Sequence, residues 1–119
     1  SKGLDLISLV NDHIIFEKNY THNPNDAQSL TGDNILSICE DKYKRLWVGV
    51  ENKGLSILNP TTNTFSNYKH NNKDEFSLAH DSPWSIYEDS FGNMWIGTFN
   101  QGVNVVYNQY YDKFTHIKQ

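Results

Sequence analysis

The chain has 119 residues, a formal net charge of −4 and 37% hydrophobic residues, enough for one ordinary domain. Its ten Lys and Arg are scattered, which argues against nucleic acid and against an anionic membrane surface. No run of about 18 apolar residues is present to form a membrane helix, and a lone cysteine, Cys39, excludes an internal disulfide.

In chain order, the first strand-like pieces are Gly3-Leu4-Asp5-Leu6-Ile7 and the stretch from Phe16 to Tyr20. Four more runs follow at 35–41, 46–50, 55–58 and 64–69, and another four at 83–89, 94–98, 103–107 and 113–118. They are rich in Ile, Val, Trp, Tyr, Phe and Thr, and several alternate apolar with polar residues, the pattern of half-buried strands. Turn chemistry separates them: Asp89-Ser90-Phe91-Gly92-Asn93, Asn52-Lys53-Gly54, Asn100-Gln101-Gly102, and the Pro60 turn at 59–63. No window sustains a helical period, so little or no helix is expected.

The second set of runs repeats the first. The segment from Ile38 to Gly49 returns from Ile86 to Gly97, and Asp33, Trp47 and Gly54 recur 48 positions later as Asp81, Trp95 and Gly102. Gly3-Leu4-Asp5-Leu6-Ile7 aligns with the third run of each set. Tyr20-Thr21-His22-Asn23 and Tyr68-Lys69-His70-Asn71 each lead, at equal spacing, to a Ser-Leu pair. Four strands per unit of roughly 40 to 50 residues is the pattern of a β-propeller blade.

The expectation is therefore an all-β fold of about two and a half four-stranded antiparallel β-propeller blades. Residues 1–33 would be the rear half of a blade plus a crossover loop. Residues 34–81 would form a complete blade, and 82–119 a complete blade truncated after its last strand. A propeller needs at least four blades. The expected partners are thus the remaining blades of a larger propeller, or further copies of the chain.

The recurring residues have structural readings. Trp47 and Trp95 should fill the space between neighbouring blades, and Gly49 and Gly97 should permit close approach of backbones. Asp41 and Asp89 should fix their hairpins by accepting backbone N–H groups. Cys39 reads as a small buried thiol, and His22 and His70 as sharing a turn role.

Signals for chemistry are weak. His13, His22, His70, His80 and His116 lack metal-ligand spacing, and the acidic stretches 23–26 and 72–75 do not fit a calcium loop. No metal and no cofactor is expected. Glu40-Asp41 and Glu88-Asp89 are paired carboxylates of the kind glycoside hydrolysis uses, but neighbouring residues on a strand face opposite ways. An active site would also interrupt the repeat, whereas these residues constitute it. The positions that differ between units are more informative: Leu36 against Trp84, Lys44 against Gly92, Glu51 against Phe99. Trp84 and Phe99 are the ligand-binding candidates, able to stack on sugar rings. The preferred reading is packing, Trp84 over a neighbouring blade and Phe99 against the next crossover.

The motifs Ser77-Leu78, Ser85-Ile86-Tyr87-Glu88-Asp89, Met94-Trp95-Ile96-Gly97-Thr98 and Gly102-Val103-Asn104 resemble, together and in this spacing, the two-component regulator propeller repeat. The resemblance spans essentially the whole chain. Lys44 in place of a turn glycine, Val50 in place of threonine and Pro83 in place of an apolar residue depart from it. The resemblance implies a periplasmic sensor propeller of a hybrid two-component histidine kinase anchored in the inner membrane, homodimeric in the parent protein. It further implies a non-catalytic domain that recognises polysaccharide-derived signals, with an oligosaccharide as ligand. The alternatives are a propeller-class lyase or glycosidase, and a protein-interaction scaffold without a small ligand.

Overall fold

A computed structural model describes residues 2–108 and 112–117. Among these residues there are ten β-strands and no helix. Strands β1 (Leu4–Val10) and β2 (His13–Tyr20) form a two-stranded sheet. Strands β3 (Ile35–Glu40), β4 (Leu46–Val50), β5 (Gly54–Asn59) and β6 (Thr64–Tyr68) form a second sheet. Strands β7 (Pro83–Glu88), β8 (Met94–Thr98), β9 (Gly102–Val106) and β10 (Thr115–His116) form a third. Each four-stranded sheet is an antiparallel meander paired in sequence order.

The internal repeat is reproduced in the strand registers. Cys39 faces Trp47 and Tyr87 faces Trp95, and both sheets shift register at the same place, between Ile35 and Ser37 and between Pro83 and Ser85. Pro83 is accommodated because it opens its strand at this irregularity, where a missing N–H is tolerated. The first hairpin is longer than the sequence pattern indicates. Asn11 (φ 51°) and Asp12 (φ 64°) form a two-residue turn, whose left-handed backbone suits the right-handed twist of its strands. Its counterpart in the second unit, the β5–β6 connection at 60–63, is two residues longer. The last strand is shorter than expected, and the end of the expected run, at 118, lies outside the described residues.

Lys44 does not disturb its hairpin: it adopts φ 69°, close to the 83° of Gly92 in the third sheet. A non-glycine residue pays about 1 kcal/mol for this conformation. Its pairing with Glu40 at 3.9 Å, both side chains exposed, offsets only a few tenths. Lys44→Gly is therefore expected to stabilise the chain by about 0.5–1 kcal/mol, read as a higher urea midpoint at unchanged slope.

Alternation along β4 sends Trp47 to one face and Val48 and Val50 to the other, so the second sheet is buried on both sides. Trp47, Leu55 and Ile57 pack against Met94, Ile96, Val106 and Phe114 of the third sheet, with Leu78 between them. On the opposite face Val48, Val50, Leu58 and Phe65 pack with Leu30, Leu4 and Tyr20 towards the first sheet. At Gly49 an added Cβ would collide with Ser37 and with Pro83 of the next sheet, and the Ser37 hydroxyl donates to the Pro83 carbonyl at 2.8 Å.

The loops between sheets share one design. The His22 and His70 backbone N–H groups donate to Asp33 (2.8 Å) and Asp81 (2.7 Å). Their ring Nδ1 atoms lie 2.8 Å from the carbonyls of Leu30 and Leu78. Because a carbonyl only accepts, Nδ1 carries the proton. The expected shared turn role of the two histidines is thus a clamp that holds each buried leucine between two sheets.

Candidate functional site

Strands β3 and β7, the first of each complete sheet, lie side by side along the inner edge. At one end of this edge the structure brings the two candidate residues together. The Trp84 and Phe99 ring centroids are 6.1 Å apart with 45° between planes. Trp84 is 52% and Phe99 53% exposed, so each leaves about half of its surface to solvent. A third ring joins them: His80, centred 5.8 Å from Phe99 in an edge-to-face arrangement. Sequence reasoning overlooked His80, although a signal existed: position 80 corresponds to Gly32 in the preceding unit. Three positions at which the units diverge therefore meet at one place.

The backbone beneath these rings is held firmly. The Phe99 N–H donates to the Ser82 carbonyl at 3.0 Å, and the Ser82 N–H donates to His80 Nδ1 at 3.0 Å. The Asn52 N–H of the second sheet donates to the Ser82 hydroxyl at 2.9 Å, and that hydroxyl donates back to Asn52 Oδ1 at 3.1 Å. The arrangement is an exposed aromatic platform with polar groups at its base. It can take a flat, partly apolar ligand at little ordering cost.

The paired carboxylates are otherwise engaged. Asp41, 4% exposed, accepts the Tyr43 and Arg45 backbone N–H groups on Oδ1, each at 2.9 Å. Its Oδ2 accepts the Arg45 guanidinium at 2.7 Å and the Trp47 indole N–H at 2.9 Å. Asp89 repeats the pattern with Phe91, Asn93 and Trp95. The expected hairpin role is present, and a link to the blade tryptophan, not foreseen, is added to it. Glu88 accepts the Lys42 backbone N–H from the second sheet at 2.9 Å. No acid–base pair is presented to a substrate by these four residues.

The Trp95 indole, and then the hairpin N–H groups, hold the Asp89 carboxyl below its ordinary value. A depressed folded pKa contributes stability that is present above the unfolded carboxylate value and lost as pH falls through the folded one. Wild-type stability is expected to fall as the pH drops below the ordinary carboxylate value of about 4, and Asp89→Asn should flatten that fall, as measured by urea midpoints across pH.

Cys39 is half-buried against the Trp47 cluster rather than fully enclosed. Burial pushes its thiol up, which makes it a poor nucleophile. The two acidic loops spend their side chains on the backbone: Asn23 and Asp26, like Asn71 and Asp74, accept N–H groups two residues on. Among the described residues, no three His, Cys, Asp or Glu side chains cluster to hold a metal.

Successive four-stranded antiparallel meanders, packed face to face through a repeated tryptophan and joined by identical crossovers, define a β-propeller repeat protein. Residues 29–52 and 77–100 match the family described as two component regulator propeller. These two matched stretches fall at equivalent places in the second and third sheets, each running from the end of a crossover loop through the first two strands of a sheet.

Solved structures share the fold. One is the extracellular domain of the hybrid two-component system BT3049 from B. thetaiotaomicron, with a TM-score of 0.78 and 22% identity over 98% of this chain and 16% of that one. The extracellular domain of the one-component system BT4673 from the same organism matches with a TM-score of 0.61 and 22% identity, over 87% of this chain and 13% of that one. PorZ, a surface component of the type-IX secretion system of Porphyromonas gingivalis, matches with a TM-score of 0.62 and 10% identity, over 92% and 16%. The chain thus spans about a sixth or less of the length of these structures. No curated protein matches it in sequence.

Proposed function

We propose that the chain is a non-catalytic recognition portion of a larger β-propeller, residing in the periplasmic part of a membrane-anchored hybrid two-component sensor kinase. The observation that carries this reading is the exposed His80–Trp84–Phe99 platform, built from positions at which otherwise faithful repeats diverge. A repeat scaffold keeps the residues that hold it together and varies those that meet a ligand. Aromatic faces beside polar groups suit the apolar face of a sugar ring, so the ligand class is an oligosaccharide released from a polysaccharide. The two-component repeat and the extracellular origin of two similar structures support the placement. Signalling requires the ligand to favour one arrangement of paired propellers over another, since equal affinity for both would shift nothing.

The test is an oligosaccharide array followed by calorimetry on the parent propeller. Trp84→Ala and Phe99→Ala should each weaken the bound sugar at least about tenfold while leaving the unfolding midpoint within experimental scatter. Unchanged affinity in both variants rejects the platform as the site. The exposed apolar face of the third sheet, where Tyr87 and Val103 stand in the places of Cys39 and Leu55, favours a second reading as a docking scaffold. Absence of any sugar binding would select it.

A further inference from the structure

Ser82 gathers two side chains at the foot of the aromatic platform. Its N–H donates to His80 Nδ1 at 3.0 Å, and its hydroxyl donates to Asn52 Oδ1 at 3.1 Å. A ring nitrogen that accepts carries no proton, so the His80 proton sits on Nε2. The Asn52 amide, its oxygen committed to Ser82, offers its two Nδ2 hydrogens. Neither His80 Nε2 nor Asn52 Nδ2 has a partner among the described residues; Asn52 is exposed, and half-buried His80 keeps Nε2 open. The local acceptors are thus committed internally, and a pair of donors is left beside the rings. The preceding unit has Gly32 and Asn34 in the places of His80 and Ser82, so this pair is not a property of the repeat.

We infer that the ligand is an acidic sugar, a uronic acid unit of an oligosaccharide. Its apolar face lies on Trp84 and Phe99, and its carboxylate accepts from His80 Nε2 and Asn52 Nδ2. This rests on the platform being the ligand site. A carboxylate has only acceptors to satisfy, and its charge-assisted bonds are roughly twice as strong as neutral ones. A hydroxyl in the same place brings a proton for which His80 has no acceptor left. The charges on either side of Asn52, Glu51 and Lys53, are opposite in sign. Asp81, next to His80, spends Oδ1 on the His70 N–H at 2.7 Å. The two donors therefore decide which sugar is held, while the rings supply contact area that any sugar can use.

The probes are methyl β-glucuronoside, its methyl ester and methyl β-glucoside, which share one ring and differ only at the exocyclic carbon. Each is titrated into the isotope-labelled 119-residue chain, with NMR shifts as the readout. The glucuronoside should bind about tenfold more tightly than the glucoside, with the ester between them. His80→Asn keeps an acceptor for the Ser82 N–H, as Asn23 and Asn71 accept the N–H two residues on, but has no Nε2. It should cut the preference to about threefold or less. Asn52→Asp keeps Oδ1 and tolerates the φ of 58°, but sets an oxygen where Nδ2 stood, and should reverse the preference. A role confined to the turn would leave the preference unmoved in both variants, which overturns the inference. Equal binding of glucuronoside and glucoside, with the Trp84 and Phe99 signals shifting, also overturns it and leaves the platform standing. Unshifted signals at both rings with every probe reject platform and inference together.

Discussion

Trp47→Ala is expected to remove about 3–5 kcal/mol of stability, and Trp95→Ala much less, about 1–2 kcal/mol. The two substitutions are chemically identical and stand at the same place in the repeat. Only their surroundings differ. Trp47 is 0% exposed, enclosed by Leu55 and Ile57 of its own sheet and by Met94, Ile96 and Phe114 of the next. Trp95 stays partly exposed, with no sheet packed over it among the described residues. Removing Trp47 leaves a cavity between two sheets that cannot close without moving one of them, whereas the gap left by Trp95 fills with water. Against a total of roughly 5–15 kcal/mol for a domain of this size, the first change brings the chain close to unfolding. Urea titration followed by circular dichroism measures both variants. Equal losses would show that the tryptophan acts within its own sheet and does not dock the next.

Asp41→Ala should cost about 3 kcal/mol, more than a carboxylate that only fixes a hairpin turn would suggest from sequence. The carboxylate gathers two backbone N–H groups, the Arg45 guanidinium and the Trp47 indole N–H at 2.7–2.9 Å. Truncation leaves the indole N–H buried without an acceptor and the guanidinium without its counter-charge, the most costly way to break such a cluster. Asp41→Asn keeps one acceptor oxygen for the turn, turns an amide donor towards other donors, and should fall between. A double-mutant cycle with Trp47→Phe isolates the indole bond, and a coupling of at least about 1 kcal/mol is expected. Additive losses would mean that the carboxylate serves the turn alone.

The strands from Ile35 onward were legible because each apolar run appears twice, so two copies corroborate one another. Leu46–Val50 and Met94–Thr98 match their expected bounds, β3, β6 and β7 differ by one residue at one end, β5 and β9 by one at both ends, and β10 begins two residues late. The Asn11–Asp12 turn was not legible, because the equivalent turn of the second unit, 60–63, differs from it in length and in residues. Lys44 illustrates a different limit. A residue that departs from the glycine pattern still adopts the glycine backbone, because the hairpin is held on both sides by Asp41 and by its strands. At the candidate site Trp84 and Phe99 were legible as divergent positions. Their meeting with His80 was not, since it depends on the fold of the 79–82 turn and its hydrogen bonds to Asn52. The indole–carboxylate bond likewise spans a hairpin and leaves no trace in spacing that a turn role alone would not also produce.

Every complete sheet here is made of consecutive hairpins, so no strand must wait for a distant stretch of polypeptide before it can pair. A nascent chain can therefore assemble each sheet soon after its residues leave the ribosome. Stacking one sheet on its predecessor then buries the crossover leucine that the histidine ring holds. Synthesis order and architectural order coincide, which limits how long the tryptophan face of an unfinished product stays open to wrong neighbours.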